Sequence, residues 1–195
     1  MPLILASASP RRLELLARLG VVPLAVDPAD IDEHHGKAEL PLDYARRMAW
    51  EKAAIVAARH PGKIVLGADT VVSCGRRILP KAEDEKTARQ CLELLSGRRH
   101  RVISAVTVID AEGNARHRDV TTIVAFKRLS DDELAAYLAL GDWHGKAGGY
   151  AIQGAAEALV RFLSGSHSAV VGLPLYETRM LLLASGCASD SLCLG

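Results

Sequence analysis

Arg11 and Arg12 stand side by side directly behind Ser7-Ala8-Ser9-Pro10. The preceding run Leu3-Ile4-Leu5-Ala6 reads as a short apolar strand, and Ser9 with Pro10 reads as the N-cap and first residue of a helix. Leu13, Leu16 and Ala17 continue at helical spacing. Positive charge is unfavourable at a helix N-terminus, where free N–H groups and the macrodipole are already positive. Two arginines there make sense if an anion balances them. Hydroxyls such as that of Ser7, a helix start and paired arginines together describe a phosphate site. The plain alternative is a pair of solvated surface arginines.

Asp69 is the next candidate. It follows Ile64-Val65-Leu66-Gly67-Ala68, where a buried strand would emerge. A charge in such a run costs free energy unless it is paired or binds a metal, and ligand sites of open α/β sheets lie at strand ends. The competing reading is a turn aspartate, but Val71-Val72 continue the strand character. Glu33 closes the acidic stretch Asp30-Ile31-Asp32-Glu33. It could pair with Asp69 around Mg²⁺, which takes hard oxygen ligands and lets substrate phosphates complete its shell. A solvated acidic loop is the commoner meaning of such a cluster.

Lys52 falls along the apolar stripe of a helix marked by Ala45, Ala49, Ala53 and Val56. Either it snorkels or its ammonium reaches a phosphate beside the core. Lys81, between Pro80 and Ala82, is placed to do the same. The glycine-rich stretch Lys146-Ala147-Gly148-Gly149-Tyr150-Ala151-Ile152-Gln153-Gly154 matches neither the P-loop nor the dinucleotide fingerprint. Its glycines let backbone approach a ligand closely, and Gln153 offers both a donor and an acceptor for the edge of a base. His34-His35 lacks zinc-ligand spacing, so no zinc is expected.

The elements that must position these groups are legible in outline. A helix is expected from Pro41 to about His60 and another from Asp84 to Leu95. Strands are expected over Val21–Val26, over Lys63–Val72 with a break at Gly67-Ala68-Asp69-Thr70, and as a hairpin over His100–Ile109 and Val120–Leu129. Ser130 with Glu133 fits a capping box for a helix to Leu140. Ala158–Leu163 and Ala169–Val171 read as short strands, and a last helix begins at Pro174. Strands and helices alternate early and a hairpin comes later, which predicts an α/β fold with a mixed sheet.

The 195 residues suit one domain, over 1–186, with a loose tail from Cys187 to Gly195. A net charge of +1 argues against nucleic-acid or membrane binding through bulk electrostatics, so phosphate recognition must come from a local cluster. Only eight aromatic residues are present for base stacking. The four cysteines fit neither a zinc site nor a disulfide framework and read as free thiols in a reducing cytoplasm. No signal peptide or membrane span is expected.

Taken together, these segments resemble the Maf family of nucleotide pyrophosphatases. The resemblance rests on Ala6-Ser7-Ala8-Ser9-Pro10-Arg11-Arg12, Asp32-Glu33, Tyr44-Ala45-Arg46-Arg47-Met48-Ala49 with Lys52-Ala53, and Gly67-Ala68-Asp69-Thr70-Val71-Val72. It continues through Leu94-Leu95-Ser96-Gly97 with His100, the Lys146–Gly154 stretch and Val171-Gly172-Leu173-Pro174-Leu175. It implies an elongated mixed sheet flanked by helices, two lobes with a central cleft, and similarity to the inosine triphosphatase fold. It implies hydrolysis of nucleoside triphosphates to monophosphate and pyrophosphate with a divalent cation, Mg²⁺ or Mn²⁺. The family's catalytic acid corresponds to Asp69, and its phosphate and metal residues to Ser7, Arg11, Arg12, Glu33, Lys52 and Lys81. The specificity positions correspond to Arg11, Thr70 and Gln153, a set resembling the subgroup that acts on dTTP and UTP. The family also suggests a homodimer. Its other implied readings are a 7-methyl-GTP pyrophosphatase and a nucleotide-binding regulator of septum formation. The chain departs from the family at Leu79-Pro80-Lys81-Ala82, where Gly-Lys-Pro is usual, and at Gly149 and Ala151.

Overall fold

Residues 2–187 and Leu192 are described by the structure, a computed structural model. The N-terminal part runs β1 (Leu3–Ala6), α1 (Pro10–Arg18), β2 (Ala25–Val26), α2 (Pro41–Arg59) and β3 (Ile64–Cys74). Next come β4 (Arg77–Leu79), β5 (Lys81–Ala82), α3 (Glu85–Leu95), and the long hairpin β6 (Arg99–Ile109) and β7 (Ala115–Phe126). The chain ends with α4 (Asp131–Leu140), β8 (Lys146–Ala147), β9 (Val160–Ser164), α5 (His167–Val171) and α6 (Leu175–Ala184). The main sheet has the order β2-β1-β3-β6-β7-β9, with β4 also on β3. β1 is parallel to β2 and β3, and the remaining pairs are antiparallel. A two-stranded sheet of β5 and β8 stands apart. The expected α/β class with a mixed central sheet and flanking helices is what the chain forms.

One face of the sheet packs on α2. Tyr44, Ala45, Met48 and Ala49 meet Val71, Ile103 and Ala105 there. The helix comes unusually close because Gly67 has no side chain. A Cβ at Gly67 would lie 2.5 Å from the Ala49 carbonyl oxygen. The larger core lies on the opposite face, where Ala68, Val72, Val102, Val106, Phe126 and Tyr150 are buried with α3, α4 and α6.

Several expectations are corrected. Only Ala25 and Val26 of the Val21–Val26 run pair with β1, since Pro23 has no N–H to donate. β3 is continuous through Gly67–Thr70, because antiparallel pairing with β6 spans Val65 to Ser73 without a break. Ser9 holds the N-cap position of α1 without a side-chain cap bond. Its backbone N–H donates to Ser7 Oγ at 3.2 Å. Ala169–Val171 is helical rather than extended, with the Ser166 side chain accepting from the Ala169 N–H. Ala155–Leu159 forms a 3-10 turn ahead of β9. The capping box of Ser130 and Glu133 is present. Within the stretch expected as a loose tail, Cys187 and Leu192 are both buried in the main core. The other tail residues, 188–191 and 193–195, lie outside the described residues. Cys74 and Cys91 are free thiols.

Candidate active site

β1 ends opposite Gly67, and β4 ends opposite Val72. Between these points, residues 68–71 of β3 carry a strand partner on the β6 side alone, among the described residues. The chain leaving β1 turns away there into α1. This opening in the sheet is the floor of a cleft of about 540 Å³. Ser7, Arg11 and Arg12 line it from the turn after β1, Glu33 from the loop before α2, and Lys52 from α2. Asp69 and Thr70 enter from β3, Lys81 from β5 and Gln153 from the glycine-rich stretch. Every site residue expected from the sequence therefore borders one space.

Asp69 and Gly67 are two residues apart on one strand and share its α2 face. The close seat of α2 on Gly67 brings Lys52 down to Asp69. Lys52 Nζ donates to Asp69 Oδ1 at 2.8 Å and lies 2.7 Å from Glu33 Oε1. Lys81 Nζ donates to Glu33 Oε2 at 2.6 Å. Asp69, Lys52, Glu33 and Lys81 thus form an unbroken chain of alternating charge. Lys81 is in the site despite the altered sequence around it. Burial alone would push the Glu33 carboxyl up, but the hydrogen bonds and charges of Lys52 and Lys81 outweigh it and hold it at about 2. The Lys52 and Asp69 side chains are 8% and 9% exposed, so water screens this pair little.

The opposite face of β3 is neutral at the same level. Thr70 Oγ1 lies 2.9 Å from Ser104 Oγ, which donates to the Ala169 carbonyl at 2.6 Å. The Gly172 carbonyl lies 3.4 Å from Thr70 Oγ1 and accepts from Arg12 Nε at 3.0 Å. Arg12 Nη1 donates to Ser7 Oγ at 2.8 Å. Burial pulls the Arg12 pKa down and the nearby Asp69 charge opposes that shift. Arg11 is half-buried, and its Nε is enclosed without a hydrogen-bond partner among the described residues. Neither arginine points away from the cleft, which answers the electrostatic puzzle of the helix start.

Five cations and three carboxylates border the cleft, an excess of positive charge in a chain that is almost neutral. One of the five is Lys146, to which sequence reasoning gave no role. Burial and the Arg11 charge lower its pKa. Ser104 and Gly172 were also missed. A serine inside the apolar run Val102–Val108 was the available signal for Ser104; Gly172 contributes only its carbonyl, which no side-chain pattern reveals. The glycine-rich stretch closes the far wall. Gly148 and Gly149 both have φ of +70°, and a Cβ on Gly148 would meet Val72 Cγ1 at 2.8 Å.

A family described as Maf-like protein matches residues 2–185. The chain belongs to the Maf family. A dTTP/UTP pyrophosphatase of Novosphingobium aromaticivorans is 66% identical over 184 residues, covering 94% of this chain and 92% of that protein. A protein of the same description from Rhodospirillum rubrum is 63% identical, over 95% of this chain and 88% of its own. A third, from Paramagnetospirillum magneticum, is 62% identical over 95% and 98%. In this Maf chain, no helix among the described residues is long and apolar enough to cross a membrane.

Proposed function

We propose that this Maf protein hydrolyses dTTP and UTP to the monophosphate and pyrophosphate. The observation that carries the reading is the chain Asp69–Lys52–Glu33–Lys81 at the floor of a cationic cleft. Water attacks the α-phosphorus, the bond from that phosphorus to the bridging oxygen breaks, and pyrophosphate departs. Asp69 accepts the proton of the attacking water. Lys52, held between the two carboxylates, fixes the Asp69 carboxylate in place. Arg11, Arg12, Lys52 and Lys81 neutralise charge on the triphosphate and on the departing pyrophosphate, where stabilisation acts most on the rate. Ser7 orients Arg12 through its hydroxyl. Arg11, Thr70 and Gln153 read the base.

The donor set also fits a divalent cation. Two hard carboxylates, Glu33 and Asp69, already converge on one positive charge, the Lys52 ammonium. No group of three or more His, Cys, Asp or Glu side chains gathers among the described residues. Two oxygen ligands with waters and phosphates completing the shell is the habit of Mg²⁺. Glu33 and Asp69 would hold Mg²⁺ or Mn²⁺. Such an ion, when bound, lowers the pKa of a coordinated water and offsets phosphate charge.

The test is a hydrolysis panel over dTTP, UTP, CTP, GTP and 7-methyl-GTP, with monophosphate and pyrophosphate quantified together. Equimolar products with dTTP and UTP preferred are expected, and Asp69→Asn should lower turnover by about a thousandfold with nucleotide binding still measurable. Near-normal turnover in Asp69→Asn removes the assignment of Asp69. Nucleotide bound but not consumed by the unaltered protein removes the enzyme reading altogether.

A further inference from the structure

Glu33 presents a problem that its side-chain contacts do not solve. It belongs to no helix or strand and lies in the long irregular segment between β2 and α2. A carboxylate on such a segment has no inherent reason to hold a fixed distance from Asp69. Two consecutive carbonyls of the segment are nevertheless tied to α2. Tyr44 Oη donates to the Glu33 carbonyl at 2.6 Å. Arg47 Nη2 donates to the His34 carbonyl at 3.1 Å. Arg47 is itself fixed by a two-pronged contact with Glu39, Nε to Oε1 at 2.7 Å and Nη2 to Oε2 at 2.8 Å. Glu39 Oε2 also accepts the Gly36 N–H at 2.9 Å, so the same carboxylate closes the turn that follows Glu33. The Arg47 guanidinium lies 5.5 Å from the centre of the Tyr44 ring, which joins the two tethers into one unit.

We infer that Tyr44 and Arg47 are positioning residues that fix Glu33 against Asp69. Tyr44, Met48 and Lys52 follow one another at four-residue steps on a single stripe of α2. One rigid helix therefore grips the Glu33 backbone at one end of the stripe and its carboxylate at the other. Tyr44 is buried, so its hydroxyl hydrogen bond is exchanged little with water. Neither side chain touches the reacting atoms in this account; both act through Glu33. The inference rests on the proposed role of Glu33 in the site.

The experiment is a double-mutant cycle on purified protein with dTTP, alongside hydrogen–deuterium exchange over residues 30–40. Tyr44→Phe keeps the ring in its packing and removes only the hydroxyl; Arg47→Lys keeps the charge and removes the fork. Each should lower kcat about tenfold with KM within about twofold, a melting temperature close to that of the unaltered protein, and faster exchange over the segment. In a Glu33→Gln background, Tyr44→Phe should lower kcat no further, because there is no carboxylate left to position. Unaltered kcat in Tyr44→Phe overturns the inference, and so does an equal tenfold loss in both backgrounds. Glu33→Gln as fast as the unaltered protein overturns the reading of Glu33 itself, a distinct outcome.

Discussion

The two faces of the main sheet both bury polar groups beneath the cleft, by opposite means. On the α2 face the groups are charged, and each charge has its counter-charge within 2.8 Å. On the other face the side chains that β3 and β6 themselves contribute are neutral. Thr70 and Ser104 share a hydrogen bond, and further along β6 the His100 Nε2 lies 2.8 Å from the Tyr150 hydroxyl. Burial pushes the His100 imidazole down to about 4, so it is uncharged at neutral pH. The difference teaches where chemistry can sit. A triphosphate needs charges to answer it, and a buried charge must be held by a counter-charge, as Lys52 is, or by hydrogen bonds, as Arg12 is. Discrimination between bases needs hydrogen bonds of fixed direction, which neutral hydroxyls and carbonyls supply.

Removing one charge is the strongest way to break the contrast. Lys52→Met keeps an unbranched side chain one atom shorter and leaves Asp69 buried without its cation. It should lower turnover about a hundredfold and stability by about 3 kcal/mol in urea unfolding. A variant as stable as the unaltered protein would show that the pair is solvated after all.

Acid separates the two faces in order. The unfolded imidazole titrates near 6.5 and the folded His100 near about 4. Between those values the unfolded chain binds more protons, so stability falls as pH falls through that window, by about 3 kcal/mol at most. Glu33 behaves differently. Its carboxyl is held at about 2 against 4.5, so its contribution is intact above 4.5 and is lost only as pH drops toward 2. The neutral face therefore weakens first. Unfolding at pH 7 and pH 5 checks this, and His100→Gln should lose less stability over that interval than the unaltered chain. Equal losses would assign the acid sensitivity elsewhere.

The smallest effect concerns selectivity. Thr70→Val keeps the branched shape that suits a strand and removes one hydroxyl. Turnover of the preferred nucleotide should change less than threefold, while the kcat/KM ratio between UTP and GTP should shift by about tenfold. An unmoved ratio would mean that Thr70 only braces Ser104.

Much of this was legible in the chain itself, because a charge in an apolar pattern is conspicuous. Asp69 behind Ile64–Ala68 and Lys52 on the stripe of α2 stand out for that reason, and so do two arginines at a helix start. The bounds of α2 followed from Pro41 and Pro61. Partnership was not legible. Lys52 and Asp69 are 17 residues apart and Glu33 and Lys81 are 48 apart, distances that only the tertiary fold closes. The short apolar run Ala169–Val171 misled because period alone does not separate a buried strand from a buried helical turn, and the cap at Ser166 decided it. The ties from Tyr44 and Arg47 end on backbone carbonyls, which every residue has and no pattern marks.

Gly67 bears on the manufacturing tolerance of this site. Where a helix rests on a sheet through side chains, the gap between them varies with rotamers, and a methylene more or less is absorbed by repacking. Here the strand presents bare backbone to the Ala49 carbonyl and the Ala53 amide. Covalent dimensions set the gap, and covalent dimensions do not drift. The nitrogen of Lys52 inherits that fixed reference height above the strand that carries Asp69.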